Sequence, residues 1–137
     1  MPPIKVILVE DDPDDRDLFH AFLEDRDDIT VIASVGDGTE LVSFLEEKKT
    51  DDDLPDLIVL DQNMPRMNGK QTLRFLQQHK RYHHIAAVIY STYADTNLIA
   101  DCNALGARIV ASKPIDHEGY QKMMDDFLAA VVTSRRK

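Results

Sequence analysis

Short apolar segments alternate with amphipathic segments along the whole chain. The apolar segments cover residues 4–9, 29–35, 57–60, 87–90 and 108–111. Most of them are rich in Val and Ile and lack the polar alternation of a half-exposed sheet, which is typical of strands buried on both faces. The pattern therefore predicts five strands of a parallel sheet.

Leu and Phe residues recur at helical spacing between these strands. Leu18 and Phe22 indicate the first helix, a stripe from Tyr120 to Val131 indicates the last, and residues 95–105 show the weakest pattern. Strands that alternate with helices need crossover connections, which place helices on both faces of the sheet. We therefore expect a single α/β domain of (βα)5 architecture.

Length and composition fit one folded domain. The 137 residues are 43% hydrophobic and 30% charged, which is enough for one core. The formal net charge of −9, from 25 acidic and 16 basic residues, disfavours direct nucleic-acid binding, because phosphate contacts need clustered Lys and Arg. Residues 133–137 are expected to form a flexible basic tail.

Two further features bear on location. Cys102 is the one cysteine of the sequence, which excludes an internal disulfide. The N-terminal residues lack the pattern of a secretory signal, and no apolar stretch reaches the roughly 20 residues that span a bilayer. We therefore expect a cytoplasmic protein without a membrane segment.

The predicted strands end in residues that can carry chemistry. Glu10 and Asp11 follow the first strand, Asp61 follows the third, Ser91 the fourth and Lys113 the fifth. In open parallel sheets the functional crevice lies beyond the carboxyl ends of the strands. These five side chains are therefore expected to share one pocket.

The carboxylates of that pocket repel one another unless a cation joins them. Mg²⁺ suits a site with two or three protein oxygen ligands, water molecules and a phosphate. A second interpretation of the same segment is an acidic helix start with a capping aspartate. Both interpretations hold if Glu10 and Asp11 face the crevice while the next acids serve the helix, namely Asp12, Asp14 and Asp15.

Asp61 ends an apolar strand and is followed by a constrained loop. Pro65 restricts the loop backbone. A carboxylate held there beside a metal ion can act as a nucleophile on phosphorus, and the main-chain oxygen of Asn63 could supply a further metal ligand. Lys113 then offers a counter-charge for the phosphoryl group, and Ser91 offers a hydrogen bond to one of its oxygens.

Taken in order, these residues resemble the receiver domain of two-component response regulators, and the resemblance extends over nearly all of residues 1–137. The matching motifs are Leu8-Val9-Glu10-Asp11-Asp12, the segment from Leu60 to Gly69, Tyr90-Ser91-Thr92 and Ser112-Lys113-Pro114. The resemblance implies a flavodoxin-like, doubly wound parallel sheet with strand order 2-1-3-4-5. It also implies phosphorelay signal transduction, with a histidine kinase as the phosphodonor.

The resemblance further implies a role for each site residue. Asp61 is then the phosphoacceptor, and Ser91 and Lys113 contact the incoming phosphoryl group. Mg²⁺ is bound by the following groups: Asp11, Asp61, the main-chain oxygen of Asn63 and, through water, Glu10. The chain is implied to be a signalling phosphoprotein rather than an enzyme, apart from catalysing its own phosphorylation and a slow autodephosphorylation.

The sequence departs from the family at one switch position. Val110 stands three residues before Lys113, where the family usually has Tyr or Phe. The rotamer coupling of that aromatic residue is therefore in doubt, and Tyr90 or Tyr93 is a candidate substitute. The family also often has a cis peptide at the position of Lys113-Pro114, an isomer that is plausible only before proline.

Two other functions remain open. A Mg²⁺-dependent phosphohydrolase would need a second carboxylate two residues after the nucleophile, where this chain has Asn63. A scaffold that binds a partner without phosphorylation is kept open by Val110. Because no second domain is expected, a stand-alone receiver would signal through an unidentified downstream protein, and homodimerisation is left open.

Overall fold

The apolar segments form a five-stranded parallel sheet. The computed structural model describes residues 2–135, in which the strands are Ile4–Val9 (β1), Ile29–Val35 (β2), Leu57–Asp61 (β3), Ala86–Ser91 (β4) and Val110–Ser112 (β5). Neighbouring strands follow the order β2-β1-β3-β4-β5. The expected flavodoxin-like (βα)5 fold is confirmed.

One helix follows each strand. The helices are Pro13–Leu23 (α1), Gly38–Glu46 (α2), Gly69–Gln78 (α3), Thr96–Ala104 (α4) and His117–Arg135 (α5). Helices α1 to α4 begin after a residue whose side chain accepts a hydrogen bond from a first-turn backbone N–H, namely Asp12, Asp37, Asn68 and Asp95. These caps fix the loops at the carboxyl edge of the sheet, where the strands deliver their polar residues.

Two apolar layers cover the sheet. One face packs against α2, α3 and α4 through residues such as Leu41, Leu73 and Leu98. The other face packs against α1 and α5 through residues such as Phe19 and Phe127. Burial on both faces explains why the strands carry apolar runs rather than alternating patterns.

The fourth helix and the last strand are the two elements for which the sequence pattern was least clear. The weak pattern over 95–105 is an authentic helix, α4, with Asp95 as its cap. Strand β5 begins at Val110, two residues later than expected. Pairing to β4 nevertheless starts earlier, because the Arg108 backbone N–H donates to the Ala87 carbonyl at 2.8 Å.

Helix α5 extends to Arg135, and residues 136 and 137 lie outside the described residues. The basic tail expected over 133–137 therefore stays a prediction. Within residues 2–135, no helix combines the length and apolar character that crossing a bilayer requires.

Candidate functional site

Glu10 and Asp61 meet at the carboxyl edge of the sheet. Strands β1 and β3 are parallel neighbours in which Val9 pairs with Leu60, so the residues that follow these two lie side by side. One carboxylate oxygen from each of Glu10, Asp11 and Asp61 lies within 4.8 Å of the other two. The structure thus brings together the three acids singled out in the sequence.

Asp61 is 3% exposed and ends β3. Burial, together with the charge of Glu10, raises the pKa of Asp61 to about 7 against the opposing charge of Lys113. Its buried Oδ1 accepts no hydrogen bond from the described residues, although Lys113 Nζ lies 3.4 Å away. A buried acceptor without a donor is uncommon in folded proteins, and it leaves this oxygen available to a cation or an incoming group.

Lys113 joins this cluster from the end of β5. Its ammonium lies 2.9 Å from Glu10 Oε1 and 2.8 Å from Asp15 Oδ2, in addition to its approach to Asp61. Burial by itself lowers the pKa of Lys113, but the hydrogen bonds to Asp15 and Glu10 and the charge of Asp61 raise it above its ordinary value. Lys113 is therefore a permanent cation in the pocket.

Glu10 is fully buried and is held at both carboxylate oxygens. Oε1 accepts a hydrogen bond of 2.7 Å from the Tyr90 hydroxyl, and Oε2 accepts one of 3.1 Å from the backbone N–H of Asp12. Burial, together with the charge of Glu10, raises the pKa of Tyr90 above its ordinary value. The Tyr90 phenol therefore stays protonated at neutral pH and can donate to Glu10.

Asp11, Ser91 and Asn63 come from the ends of β1 and β4 and from the loop after β3, at the same edge of the sheet. Asp11 is exposed, whereas Ser91 is buried at the end of β4, next to the residue that pairs with Asp61. Asn63 is exposed in the loop after β3, and its backbone N–H acts to lower the pKa of Asp61. The roles of these three residues remain predictions.

The loop between β3 and α3 is fixed to the start of α2. Arg66 adopts a left-handed backbone conformation with φ 59°, which is uncommon for a residue other than glycine. Its Nε donates to the buried Asp37 carboxylate at 2.7 Å, and the Gly38 backbone N–H donates to the Met67 carbonyl at 3.1 Å. These contacts stiffen the loop that carries Asn63.

The structure shows whether Tyr90 or Tyr93 could take the place of the aromatic residue that the family usually has at position 110. Val110 packs on the face covered by α2, α3 and α4, whereas Tyr90 lies on the face covered by α1 and α5. Tyr90 therefore cannot occupy the space that an aromatic residue at 110 would fill, and Tyr93 is 76% exposed. The peptide before Pro114 is also not cis, since residues 2–135 contain no cis peptide bond.

Two residues of the pocket were not expected from the sequence. Asp15 was assigned to the helix start but binds Lys113, and Tyr90 binds Glu10. The spacing of Asp15 contained a weak signal, since it lies one helical turn beyond the acid pair. For Tyr90 the signal was a phenol at a strand end among aliphatic residues.

A carboxylate cluster of this kind fits a divalent cation. Three carboxylate oxygens converge, and hard cations such as Mg²⁺ prefer oxygen ligands. Lys113 supplies one positive charge, which does not balance the acids around it. The excess negative charge of the cluster and the unpaired Asp61 oxygen both favour a bound cation.

Comparison with known proteins places this geometry in a family. A family model described as the response regulator receiver domain matches residues 6–125. The chain is 33% identical over 133 residues to a protein-glutamate methylesterase/protein-glutamine glutaminase of Clostridium acetobutylicum, with 96% of this chain and 36% of that protein covered. It is 29% identical over 127 residues to response regulator Rre1 of Synechocystis, with 93% of this chain and 52% of that protein covered.

The chain thus spans between about a third and about half of the length of these two relatives. Among solved structures, the phosphorylated cyanobacterial phytochrome response regulator RcpA superposes with a TM-score of 0.79 at 24% identity, covering 92% of this chain and 94% of that one. The chemotaxis response regulator CheY4 of Vibrio cholerae superposes with a TM-score of 0.76 at 22% identity, covering 91% and 98%. At these identities the structures show the fold.

Proposed function

This chain belongs to the response regulator receiver domain family, and from that premise we propose that it accepts a phosphoryl group from a histidine kinase on Asp61. One observation carries the proposal. Asp61 Oδ1 is buried without a hydrogen-bond donor among the described residues, yet it lies beside the Lys113 ammonium and two further acids. That arrangement suits a carboxylate that receives an anionic group.

The transfer forms a bond between phosphorus and the Asp61 carboxylate and breaks the bond between phosphorus and the imidazole nitrogen of the donor. The leaving imidazole keeps the electron pair and takes up a proton. Lys113, whose ammonium already lies beside Asp61, pairs with the phosphoryl oxygens. Ser91, on the strand next to β3, donates a hydrogen bond to one of these oxygens.

The metal would be held by Asp11, Asp61 and the main-chain oxygen of Asn63, with Glu10 acting through water. Bound Mg²⁺ supplies positive charge that neutralises the transferred group. The convergence of three carboxylate oxygens supports this assignment. We further propose that phosphorylation changes binding to a downstream protein, in keeping with the receiver family.

The experiment is labelling with acetyl phosphate and Mg²⁺, followed by intact-protein mass spectrometry. We expect one phosphoryl group per chain in the wild type and none in Asp61→Asn. Asp53→Asn is the matched control, because Asp53 is an exposed acid in the 3-10 turn before β3. If the wild type is labelled neither by this donor nor by a histidine kinase, the result would favour a scaffold that binds its partner without phosphorylation.

The same experiment separates a switch from a phosphohydrolase. A switch accumulates the phosphorylated chain, whereas a hydrolase releases phosphate over many turnovers. The residue two positions after Asp61 is Asn63, which cannot serve as a general acid or base as a carboxylate would. We therefore expect stoichiometric labelling and slow release.

A further inference from the structure

Tyr90 is a buried residue whose hydroxyl reaches the site from the α1 and α5 side. Its side chain is 0% exposed, and its ring contacts Phe19 edge-on at 6.1 Å between centroids. The hydroxyl donates to Glu10 Oε1 at 2.7 Å. The same ring lies 4.9 Å from Lys113 Nζ. Tyr90 thus contacts two charged groups of the pocket and lies one residue before Ser91.

The contacts of Glu10 show what the hydroxyl contributes. Glu10 Oε1 is shared between Tyr90 and Lys113, and Lys113 also binds Asp15 and approaches Asp61. If Lys113 turns to a phosphoryl group on Asp61, the Tyr90 hydroxyl is the donor that still holds Oε1. Its position does not depend on that event, because the ring is packed in the core.

We propose that Tyr90 is a positioning residue that holds the Glu10 carboxylate in place for Mg²⁺ binding, an inference that rests on the metal assignment of the proposed function. Groups that orient the residues around a metal commonly change affinity by 10-fold to 100-fold when they are removed. Tyr90→Phe removes the hydroxyl and keeps the ring. Its effect therefore reports on the hydrogen bond and not on packing.

Tyr120 provides a matched control in the same aromatic layer. It is fully buried and contacts Phe19 at 6.4 Å between ring centroids. Its hydroxyl has no hydrogen-bond partner among the described residues. Tyr120→Phe therefore removes the same atom from the same layer without removing a contact to Glu10.

The experiment titrates the full chain of each variant with Mg²⁺ alone by isothermal calorimetry. We expect the dissociation constant to rise about tenfold in Tyr90→Phe and to stay at the wild-type value in Tyr120→Phe. In acetyl phosphate labelling, the Mg²⁺ concentration that gives half the maximal rate rises by the same factor in Tyr90→Phe. The rate at saturating Mg²⁺ stays at the wild-type level.

Two results would overturn the proposal: unchanged Mg²⁺ affinity in Tyr90→Phe, or an equal loss in both variants, which would indicate a general defect of the core. Weaker Mg²⁺ binding in Tyr90→Phe, found together with a wild type that accepts no phosphoryl group, would support the positioning role and reject the proposed function.

A measurement on the wild-type protein covers the case in which Tyr90→Phe does not fold. The chain has 4 tyrosines, so tyrosine-selective ¹³C labelling gives few resonances. We expect the Tyr90 resonance to shift along the Mg²⁺ binding curve, while that of Tyr93, which is 76% exposed, does not. A Tyr90 resonance that stays unchanged as the site saturates contradicts the proposal.

Discussion

Lys113 Nζ lies 2.8 Å from Asp15 Oδ2 and so joins the end of β5 to the first turn of α1. Both side chains are largely shielded, with 10% of Lys113 and 27% of Asp15 exposed. Because Lys113 also contacts Glu10 and approaches Asp61, its single charge is divided among acids from three segments of the chain. Asp15 is thus a counter-ion for Lys113 that takes no part in the expected metal site.

We expect Asp15→Asn to lower the free energy of unfolding by about 1 kcal/mol more than Asp14→Asn does. Asp14 is an exposed acid in the same helical turn, so both variants lose the same favourable interaction with the helix dipole. Only Asp15→Asn also removes the negative charge that pairs with Lys113. Urea unfolding at neutral pH measures the difference, and equal losses would mean that the pair adds no stability.

The composition of the pocket could be predicted from the sequence only in part. Glu10, Asp61 and Lys113 follow strands, and the ends of parallel strands coincide at one edge, so their meeting follows from topology. The role of Asp15 depends on how α1 is rotated over the sheet, and that of Tyr90 depends on the face of β4 that it occupies. Neither quantity can be read from residue spacing.

The raised pKa of Asp61 predicts a pH dependence of stability for the metal-free protein. Unfolded Asp61 releases its proton near 3.8, whereas folded Asp61 retains it up to about 7. Between these values the folded state binds more protons, so stability falls as pH rises and the loss is complete above pH 7. We therefore expect Asp61→Asn to match the wild type near pH 4 and to be more stable by roughly 4 kcal/mol above pH 7.

Urea unfolding in the presence of a chelator, from pH 4 to pH 8, tests this expectation. The difference between the two proteins is the relevant quantity, because Asp28 and Asp37 have lowered pKa values and change stability in the opposite direction in both. A difference that is constant across the range would mean that Asp61 is ionised in the folded state at low pH.

Adding Mg²⁺ should reverse much of this destabilisation. A ligand that binds only the folded state adds about 1.4 kcal/mol for each tenfold increase above its dissociation constant. We expect Mg²⁺ to raise the melting temperature of the wild type at pH 7.5 and to have a smaller effect on Asp11→Asn, which lacks one acid of the cluster. Asp14→Asn is the control, and equal responses in all three proteins would indicate non-specific salt effects.

The fold was more predictable than the site for a physical reason. Buried parallel strands and helix N-termini are specified by local sequence signals, such as the apolar run of β3 and the residue Asp95 that caps α4. The start of β5 was placed two residues too early because Arg108 and Ile109 already pair with β4 without forming regular strand. Boundaries of this kind depend on hydrogen bonds to a distant segment.

Asp37 at the start of α2 binds Arg66 in the loop between β3 and α3. Its removal should therefore lower the stability of the protein. Burial raises the pKa of Asp37, but hydrogen bonds from Thr39, the backbone of Glu40 and Arg66 outweigh burial and lower it below the ordinary value. A lowered pKa means that this stabilisation is present above the unfolded value of 3.8 and is lost as pH falls through the folded value. At neutral pH it is fully present.

We expect Asp37→Ala to lower the free energy of unfolding by about 3 kcal/mol at pH 7, because it removes the cap of α2 and leaves Arg66 without its buried partner. Glu40→Ala is the control. Glu40 is a half-exposed partner of Arg66 at 3.4 Å, and its loss should cost under about 1 kcal/mol. If both variants lost equal stability by urea unfolding, the buried cap would contribute nothing beyond a surface ion pair, and the loop that carries Asn63 would not depend on it.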